Sequence, residues 1–543
     1  SETRPDNTTT TFGNDSMNRL LATTNALSQV VRYGYDVLGN LIQLVDTKGN
    51  TNQWAYGLLG HRLSKTYADS TQDRYAYDAV GNLAYFTNAA SEVQTITYDS
   101  RNRPTLKTWS SNGDPEAMTY DAAGRLTVLT NSNSVITNSY DDANQLTAEG
   151  STLSGQSTRT VSYTYNSDGQ RKSMTYPNGL VLTNDYTARG QLASLTFDGP
   201  PPLATYAYDL AGRRTMRVYE NGVNAYYTND ASGQLLALAH VKTNGGSVIA
   251  QVSHAYDLAG NRTNRTENFT GYSSATDSYG YDSTDQLTSV SYSGGARTAS
   301  FGYDPMGNLT NKLDSGTGTN TFTANSLNQL TAIGASAITY DQKGNLTNRP
   351  GWLYTWNAKN QLTIAEPASP TNGAVKISFA YDGRSRCARR QSWTWSTNSS
   401  SYSLSSTSYL LYSGWNLIEE RDAGTNVVSY VSGPSIDEMV AKFTSTNTVF
   451  YHGEAQHSTI ALTDASANVL ERYRYEAFGL HSIYDASFTT RNATAYGVRH
   501  LFQGREWLSE VNLNDHRFRY YSPELQRWLC RDSIEEDGGL NLT

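Results

Sequence analysis

One short motif recurs along this chain and limits what the chain can fold into. Its fullest copy, from Tyr303 to Leu309, reads Tyr-Asp-Pro-Met-Gly-Asn-Leu. Most copies lie roughly 20 to 25 residues apart, a spacing that indicates a repeat architecture. Other clear copies begin at Tyr35, Tyr77, Tyr120 and Tyr340, and partial copies begin at Tyr140, Tyr165, Tyr208, Tyr256 and Tyr281.

The residue types in the motif predict a tight turn between two strands. The Asp side chain can accept a hydrogen bond from the backbone two residues on. Three residues after Asp stands Gly, or Asn or Asp in its place, and these types tolerate a positive φ. This is the pattern of a type I turn followed by a left-handed residue, a common hairpin loop with a bulge. We therefore predict that Tyr ends one strand, that Leu begins the next, and that each period holds two strands and two turns.

The composition favours a long, thin β-sheet over one thick globular core. The chain has 543 residues, of which 37% are hydrophobic, and 39 Tyr and 9 Trp supply much of the apolar area. Its net charge is only −8, which argues against disorder despite the small number of aliphatic residues. Thr, Tyr and Val favour strands, whereas Asn, Asp and Gly favour turns.

Several classes of function are disfavoured by the same composition. The chain is mildly acidic and has no run of Lys and Arg, which argues against nucleic-acid binding. It has no apolar run of the length that spans a membrane. Residues 1–11 lack the apolar region of a signal peptide. Two cysteines, Cys387 and Cys530, neither require nor exclude a disulfide.

The texture of the sequence suggests three parts. Residues 1–30 are a polar lead-in, and residues 31–408 carry the repeats. From about residue 409 to residue 543 the repeats loosen, and longer motifs appear. These motifs are Phe502-Gln503-Gly504-Arg505-Glu506, then Arg517-Phe518-Arg519-Tyr520-Tyr521-Ser522-Pro523-Glu524, then Arg531-Asp532-Ser533-Ile534 and Gly538-Gly539-Leu540-Asn541-Leu542.

The repeats resemble the YD repeats of the Rhs family, and residues 409–543 resemble the Rhs repeat-associated core that ends such arrays. The family includes bacterial polymorphic toxins, the C component of insecticidal toxin complexes and the animal teneurins. The resemblance implies an all-β fold in which a spiral sheet of hairpins forms a hollow shell or barrel-like cocoon. The shell of the toxins encloses a C-terminal toxic domain, and the core curls inward as a plug.

The resemblance therefore implies a carrier shell of a secreted bacterial toxin or surface protein. Its expected partner is a C-terminal effector segment in cis, which is absent from this sequence, and a further chain that completes the shell is a second expected partner. The expected location is secreted or on the bacterial cell surface. The alternative function is that of a cell-surface repeat protein that binds carbohydrate or protein. For the fold, the alternative to a closed shell is an open spiral or a small filled barrel.

The family core is also a self-cleaving aspartyl protease, and this resemblance assigns a catalytic role to Asp532 with Arg531 beside it. The chemistry requires two carboxylates that share one proton. The second family aspartate and the cleaved bond lie beyond Thr543 and are missing here, and Ser533 replaces the family proline. Asp537 is a conceivable substitute partner. We expect a core that is inactive in this sequence, with Asp532 in a turn or ion pair.

Five tryptophans close in sequence are candidate binding residues, because exposed Trp rings stack on sugars. They are Trp352, Trp356, Trp393, Trp395 and Trp415, and the competing expectation is that they pack inside the shell.

No metal or cofactor is expected. His452, Glu454 and His457 do not have the spacing of a zinc-protease helix, which needs His at i and i+4. Each repeat Asp stands alone, with a turn role ready for it, whereas a calcium-binding solenoid needs several carboxylates in each turn. We therefore expect the repeat Asp residues to be structural.

Overall fold

A computed structural model describes residues 1–111, 114–292, 297–424, 426–538 and 541, and nearly all of the regular structure in it is antiparallel β-sheet. Fifty-one strands, β1 to β51, form three sheets of 32, 15 and 4 strands, and each strand pairs with its neighbours in sequence. Two short 3-10 helices, Phe502–Gly504 and Glu535–Gly538, are the other regular elements in the described part of the chain.

The first sheet holds β1 to β32. Their bounds are Glu2–Thr3, Thr9–Asn14, Leu20–Thr24, Val30–Tyr35, Leu41–Val45, Thr51–Tyr56, Arg62–Thr66, Gln72–Tyr77, Leu83–Thr87, Val93–Tyr98, Pro104–Trp109, Glu116–Tyr120, Leu126–Thr130, Ser134–Tyr140, Leu146–Leu153, Arg159–Tyr165, Arg171–Thr175, Val181–Tyr186, Leu192–Phe197, Ala204–Tyr208, Arg214–Tyr219, Val223–Asn229, Leu235–Lys242, Val248–Tyr256, Arg262–Phe269, Ala275–Tyr281, Leu287–Tyr292, Arg297–Tyr303, Leu309–Asp314, Gly318–Ala324, Leu330–Ile333 and Ser336–Ala337.

The second sheet holds β33 to β47 and the third holds β48 to β51. The bounds in the second are Thr339–Tyr340, Leu346–Arg349, Trp352–Trp356, Leu362–Pro367, Val375–Tyr381, Cys387–Ser396, Ser401–Ser413, Asn416–Asp422, Val427–Ser432, Met439–Phe443, Thr448–Gly453, Thr459–Thr463, Val469–Tyr475, His481–Asp485 and Thr490–Arg491. The bounds in the third are Glu506–Leu508, Leu513–Asp515, Tyr520–Ser522 and Arg527–Trp528.

The motif forms the turn that its residues predict. In the copy at residues 303–309, Tyr303 ends β28, Leu309 begins β29, and the strand register shifts at Tyr303. Asp304 accepts hydrogen bonds from the backbone N–H groups of Met306 and Asn308, both at 2.9 Å. Gly307 has a φ of 78°, which confirms the predicted left-handed position. We call these turns repeat turns, and the turns that connect one period to the next return turns.

Most repeat tyrosines also bond to the preceding repeat. The hydroxyl of Tyr303 donates to the carbonyl of Leu287 at 2.7 Å, and the hydroxyl of Tyr208 donates to that of Leu192 at 2.8 Å. In both cases the acceptor is the residue that begins the strand after the preceding repeat turn. The same bond is made by Tyr77, Tyr98, Tyr120, Tyr140, Tyr165, Tyr186, Tyr256, Tyr281 and Tyr381.

Contacts between distant residues show that the ribbon of hairpins is wound about twice. Ion pairs join Lys48 to Asp304, Lys343 to Glu92 and Lys359 to Glu116, across 256, 251 and 243 residues of sequence. The side chains of residues 163 and 176 form hydrogen bonds with residues that lie 250 and 254 positions further along the chain. One winding therefore takes about 250 residues. We call β1–β26 the first winding and β27–β47 the second.

The seam between the windings has a defined polarity. Return turns of the first winding, such as Asp46–Asn50 and Asn88–Glu92, meet repeat turns of the second, such as Asp304–Asn308 and Asp341–Asn345. The main apolar core lies where residues 161–269 pack against residues 322–529. There the hydroxyl of Tyr176 donates to the carbonyl of Tyr430 at 2.8 Å, and that of Tyr219 donates to the carbonyl of Tyr451 at 2.6 Å.

The predicted all-β spiral of hairpins is confirmed, and its sheets are open. Among the described residues, β1 and β32 do not pair with each other, so the first sheet does not close into a barrel. Strands β2 and β3 of the predicted lead-in pair with each other and with β4 in the same ladder. The divisions at residues 30 and 408 stay predictions based on sequence texture.

Replacing Tyr303 by Phe tests the bond between repeats. Loss of a partly buried hydroxyl that donates to a backbone carbonyl is expected to lower the free energy of unfolding by about 1 kcal/mol. The control is Tyr85→Phe, because Tyr85 is half exposed and its removal is expected to change stability by less than about 0.5 kcal/mol. Urea unfolding of both variants is the measurement, and equal losses would contradict the assigned role.

Candidate functional site

The C-terminal residues 498–538 form a compact module that packs on both windings. Its four-stranded sheet contacts the second winding through a backbone bond from the N–H of Leu346 to the carbonyl of Leu529 at 2.8 Å. The hydroxyls of Tyr381 and Tyr520 lie 3.0 Å apart. Arg390 of β38 forms an ion pair with Glu506 at 2.6 Å. The module is therefore part of the wall's buried core.

Lys65 ties the first winding to the end of the module. Its ammonium group is fully buried and lies 2.8 Å from a carboxylate oxygen of Glu536 and 3.1 Å from one of Glu535. The rings of Trp54 and Tyr67 also face the Lys65 Nζ, at 5.9 and 4.7 Å. A buried cation with two carboxylates is costly to break, because removing one side leaves the other unpaired. This contact positions the 3-10 turn that follows Asp532.

Asp532 and Arg531 lie at the junction of module and wall. Asp532 forms an ion pair with Arg519 at 2.9 Å and accepts a hydrogen bond from the backbone N–H of Ile534 at 3.2 Å. The Arg531 guanidinium lies 4.2 Å from the centre of the Tyr67 ring. Arg531 therefore stacks on the wall, and Asp532 holds the turn. Both contacts agree with the turn and ion-pair expectation, and the catalytic role stays a prediction.

A cavity of about 300 Å³ beside Asp532 contains further carboxyl groups from other elements. Asp73, from β8, accepts a hydrogen bond from the Tyr67 hydroxyl at 2.7 Å, and burial raises the pKa of the Asp73 carboxyl. Glu535 lines the same cavity and pairs with Lys65 and Arg62. Asp537, the conceivable partner of Asp532, has a side chain outside the described part of the chain. Each carboxyl described here has its own partner.

The module contains a pair of carboxyl groups that the sequence pattern did not reveal. Glu506 and Asp515 stand directly opposite each other on β48 and β49. Burial, followed by the charge of Glu506, raises the pKa of Asp515 to about 7. The backbone N–H of Arg517 donates to Asp515 at 2.6 Å. The residues are nine apart in sequence, and only the register of a short hairpin brings them together.

The structure does not gather the five tryptophans into one patch. Trp356 takes the place of a repeat tyrosine, since its indole N–H donates to the carbonyl of Leu346 at 2.7 Å. Trp352 packs against the main core. Trp415 contacts Phe518 of the module, with ring centres 4.8 Å apart. The strands of Trp352 and Trp393 are three positions apart in the sheet, about 14 Å at the usual strand spacing.

Trp393 and Trp395 do share one hairpin. The Trp395 ring lies 4.9 Å from that of Tyr402, and the Trp393 indole donates to Ser378 at 3.0 Å. The ammonium of Lys376 lies 5.4 Å from the centre of the Trp393 ring and 4.2 Å from that of Tyr402. A sugar platform made of all five residues is not what the structure shows, and binding by Trp393 and Trp395 stays a prediction.

The residues weighed as metal ligands have other partners. His452 contacts His240 of the first winding, and Glu454 bonds to Arg265 at 2.8 Å. In the part of the chain that the structure describes, no group of three or more His, Cys, Asp or Glu side chains is arranged to hold a metal ion. Cys387 and Cys530 are both free and buried, and burial raises the pKa of the Cys530 thiol to about 12. None of the described helices is long and apolar enough to cross a membrane.

A ribbon of Tyr-Asp hairpins, wound in a spiral and joined to a packed C-terminal module, defines the class of YD-repeat shell proteins. The chain belongs to the Teneurin YD-shell family, which it matches over residues 74–240 and 242–402. Residues 15–51 also match the RHS Repeat family.

Two solved structures are similar to this chain over nearly its whole length. The crystal structure of TcdB2-TccC3-Cdc42 superposes with a TM-score of 0.84 at 17% identity, over 99% of this chain and 31% of that one. A Photorhabdus luminescens Tc holotoxin pore structure gives a TM-score of 0.80 at 17% identity, over 99% of this chain and 30% of that one. At this identity the likeness shows the fold.

The curated relatives are much longer than this chain. The tRNA3(Ser)-specific nuclease WapA of Bacillus spizizenii is 28% identical over 221 residues, which is 40% of this chain and 9% of the relative. The tRNA nuclease WapA of Bacillus subtilis is 27% identical over 221 residues, with the same coverage. The chain thus spans less than a tenth of the length of these relatives.

Replacing Asp515 by Asn tests the buried carboxyl pair. The pKa of Asp515 is 3.8 in the unfolded reference and about 7 in the fold. The contribution of Asp515 to the free energy of unfolding is therefore fully present below about pH 4 and is lost as the pH rises through 7. Asn keeps the oxygen that accepts from Arg517 and cannot ionise. We expect D515N to be more stable relative to the parent chain at pH 8 than at pH 5, by at least about 1 kcal/mol. An equal difference in urea unfolding at both pH values would contradict the pair.

Proposed function

We propose that this chain is part of the wall of an encapsulating shell, the carrier of a secreted bacterial Rhs-type toxin or surface protein. The polypeptide that it sequesters would follow the module in cis. The mechanism is steric, since a wall of fixed hairpins keeps a tethered chain away from solvent and from other proteins until it is released.

The position of the C-terminal module is the observation that carries this proposal. The last described residue, Asn541, donates to the carbonyl of Met306 at 3.2 Å and to the side chain of Asn308 at 3.0 Å. Met306 itself is buried. A segment that continues from this point would start against the wall of the second winding. The names of the relatives, nucleases and toxin complexes, supply the class of cargo.

A further chain or segment is needed to complete such a shell. The cavity between the two windings holds about 840 Å³, and a 100-residue domain has a radius of gyration of about 13 Å, which is far too large for it. The enclosed space would therefore form only when more wall is added to the open sheets.

The edge formed by the repeat turns of the first winding is the surface we assign to this shell-completing partner. The tips of these turns carry apolar side chains that are largely exposed, with Leu58 at 98%, Val37 at 94% and Leu210 at 90%. Leu59, Val80 and Leu258 are exposed in the same row. The corresponding tip of the second winding, at Met306, is only 9% exposed because the first winding covers it. A partner that repeats this seam would cover the row.

Binding of a cell-surface ligand is the alternative function. Its best support is the Trp393, Trp395 and Tyr402 hairpin, where three aromatic rings lie beside Lys376. Lys376 already covers two of these rings, so we rank this alternative below the carrier role. Secretion or display at the cell surface is part of the main proposal, and it rests on the relatives named above.

Protease protection of an added segment tests the carrier role. The same flexible peptide, with one cleavage site for a specific protease, is attached after Thr543 in one variant and before Ser1 in another. We expect cleavage after Thr543 to be about threefold slower even in this open wall, because that peptide starts against the second winding and cleavage follows the population of accessible states. The peptide before Ser1 is the matched control. Equal rates would contradict sequestration beside the module.

The autoprotease prediction has a separate test. A longer variant carries the next hundred residues of its parent reading frame after Thr543, and its self-cleavage is followed by mass spectrometry. If Asp532 is catalytic, D532N abolishes cleavage, whereas D73N, which changes another carboxyl of the cavity, shows whether a second group is required. An uncut parent chain would remove the protease role and leave Asp532 as a turn residue.

A further inference from the structure

Two histidines from different windings meet in the seam. His240 lies on β23 of the first winding and His452 on β43 of the second, and both are fully buried. Their Nδ1 atoms are 3.3 Å apart, and their ring centres are 4.9 Å apart. They lie 212 residues apart in sequence, so only the winding of the ribbon brings them together.

The hydrogen-bond partners fix where the protons are. The Nε2 of His240 lies 2.9 Å from the carbonyl of Gly453, which can only accept, so this nitrogen carries a proton. The Nδ1 of neutral His240 therefore accepts a hydrogen bond from the Nδ1–H of His452. The Nε2 of His452 accepts in turn from the Thr463 hydroxyl at 2.8 Å. The Thr463 hydroxyl oxygen accepts a hydrogen bond from the side-chain amide of Asn221, also at 2.8 Å.

We call this chain of four hydrogen bonds the relay, and all four form together only when both rings are neutral. An extra proton on His240 Nδ1 would place two N–H groups against each other across the 3.3 Å contact. An extra proton on His452 Nε2 would turn that nitrogen into a donor and break the bond from Thr463. A protonated ring here would also be a buried charge, because both side chains are fully shielded from solvent.

The charged groups around the pair do not offset an added positive charge. From β21, Arg217 faces both rings, and its partner Glu438 is already shared with Arg214. Glu454, in the turn after β43, is paired with Arg265 of β25. The other titratable neighbours are Tyr219, Tyr451 and His457, and the strands that flank His240 present Ala225 and Ala250.

We propose that the His240–His452 relay is an acid-sensitive latch between the two windings of the shell wall. The latch is closed when both rings are neutral and opens when acidification protonates them, which separates β43 and β44 from β21 to β23. This inference concerns the seam of the wall itself, so it stands whether or not the wall encloses a cargo.

The direction of the pH dependence follows from burial. Burial, then the charge of Arg217, lowers the pKa of His240 from 6.5 to about 3, and burial with His240 and Arg217 lowers that of His452 well below its usual range. A released ring binds a proton below about pH 6.5, so the closed seam is fully stable above that pH and weakens between pH 6.5 and 3. At pH 5, His240 alone raises the opening constant roughly 30-fold.

Hydrogen exchange on the whole chain tests the latch, because it reports on the seam separately from histidines elsewhere in the fold. His254, His457, His481, His500 and His516 also have lowered pKa values, so global unfolding would not isolate the relay. His457 lies inside the measured segment, and variants of His240 and His452 separate its effect from that of the relay. We expect amides of Thr448–Thr463 to lose protection at least tenfold between pH 7.5 and 5, after correction for intrinsic exchange. Unchanged protection of this segment would overturn the proposal.

Variants that cannot titrate provide the second arm of the test. In H240Q the amide nitrogen can still donate to the Gly453 carbonyl, and in H452Q a polar group still faces Thr463. Both variants should lose most of the pH dependence in Thr448–Thr463, even if they begin with lower protection. The matched control H481Q changes a partly buried histidine outside the relay and should keep the dependence. A pH dependence of parental size in H240Q and H452Q would overturn the proposal, as would its loss in H481Q.

Discussion

The hydrogen bond from a repeat tyrosine to a carbonyl of the preceding repeat is the interaction on which the rest of the structure depends. It joins two neighbouring hairpins at the same place in most repeats, as Tyr303 does with Leu287 and Tyr381 does with Leu362. Ladder bonds alone would leave the angle between hairpins free to vary. The ring packs on the neighbouring hairpin and its hydroxyl fixes the distance, so small identical steps add up to a regular winding. A ribbon of this kind has few aliphatic residues because most of its side chains lie in a thin wall.

Winding brings together residues that are far apart along the ribbon, and the seam between the windings contains buried ion pairs. Glu438 is shared by Arg214 and Arg217, and Glu149 is shared by Arg384 and Arg386. Buried pairs of this type add specificity of register more than net stability. The seam is therefore selective about which turns meet.

The local structure could be predicted from the sequence, whereas the seam could not. The position of Gly307, the strand that ends at Tyr303 and the strand that begins at Leu309 all follow from turn chemistry within seven residues. The pairing of Lys343 with Glu92 depends on how many residues complete one winding, and no local pattern encodes that number. The burial of Lys65 and the His240–His452 contact were missed for the same reason, whereas the Glu506–Asp515 pair depends on the register of one short hairpin. The tryptophans were close in sequence, but their strands carry them to different places.

Carbodiimide cross-linking with mass spectrometry tests the winding most directly, because it joins a lysine to a carboxylate only when the two are in contact. The account predicts cross-links between Lys48 and Asp304, between Lys343 and Glu92 and between Lys359 and Glu116, whose side chains lie 2.8 to 2.9 Å apart. These links join peptides 243 to 256 residues apart in sequence. Cross-links confined to neighbouring repeats, with none of these three, would contradict a ribbon wound twice upon itself.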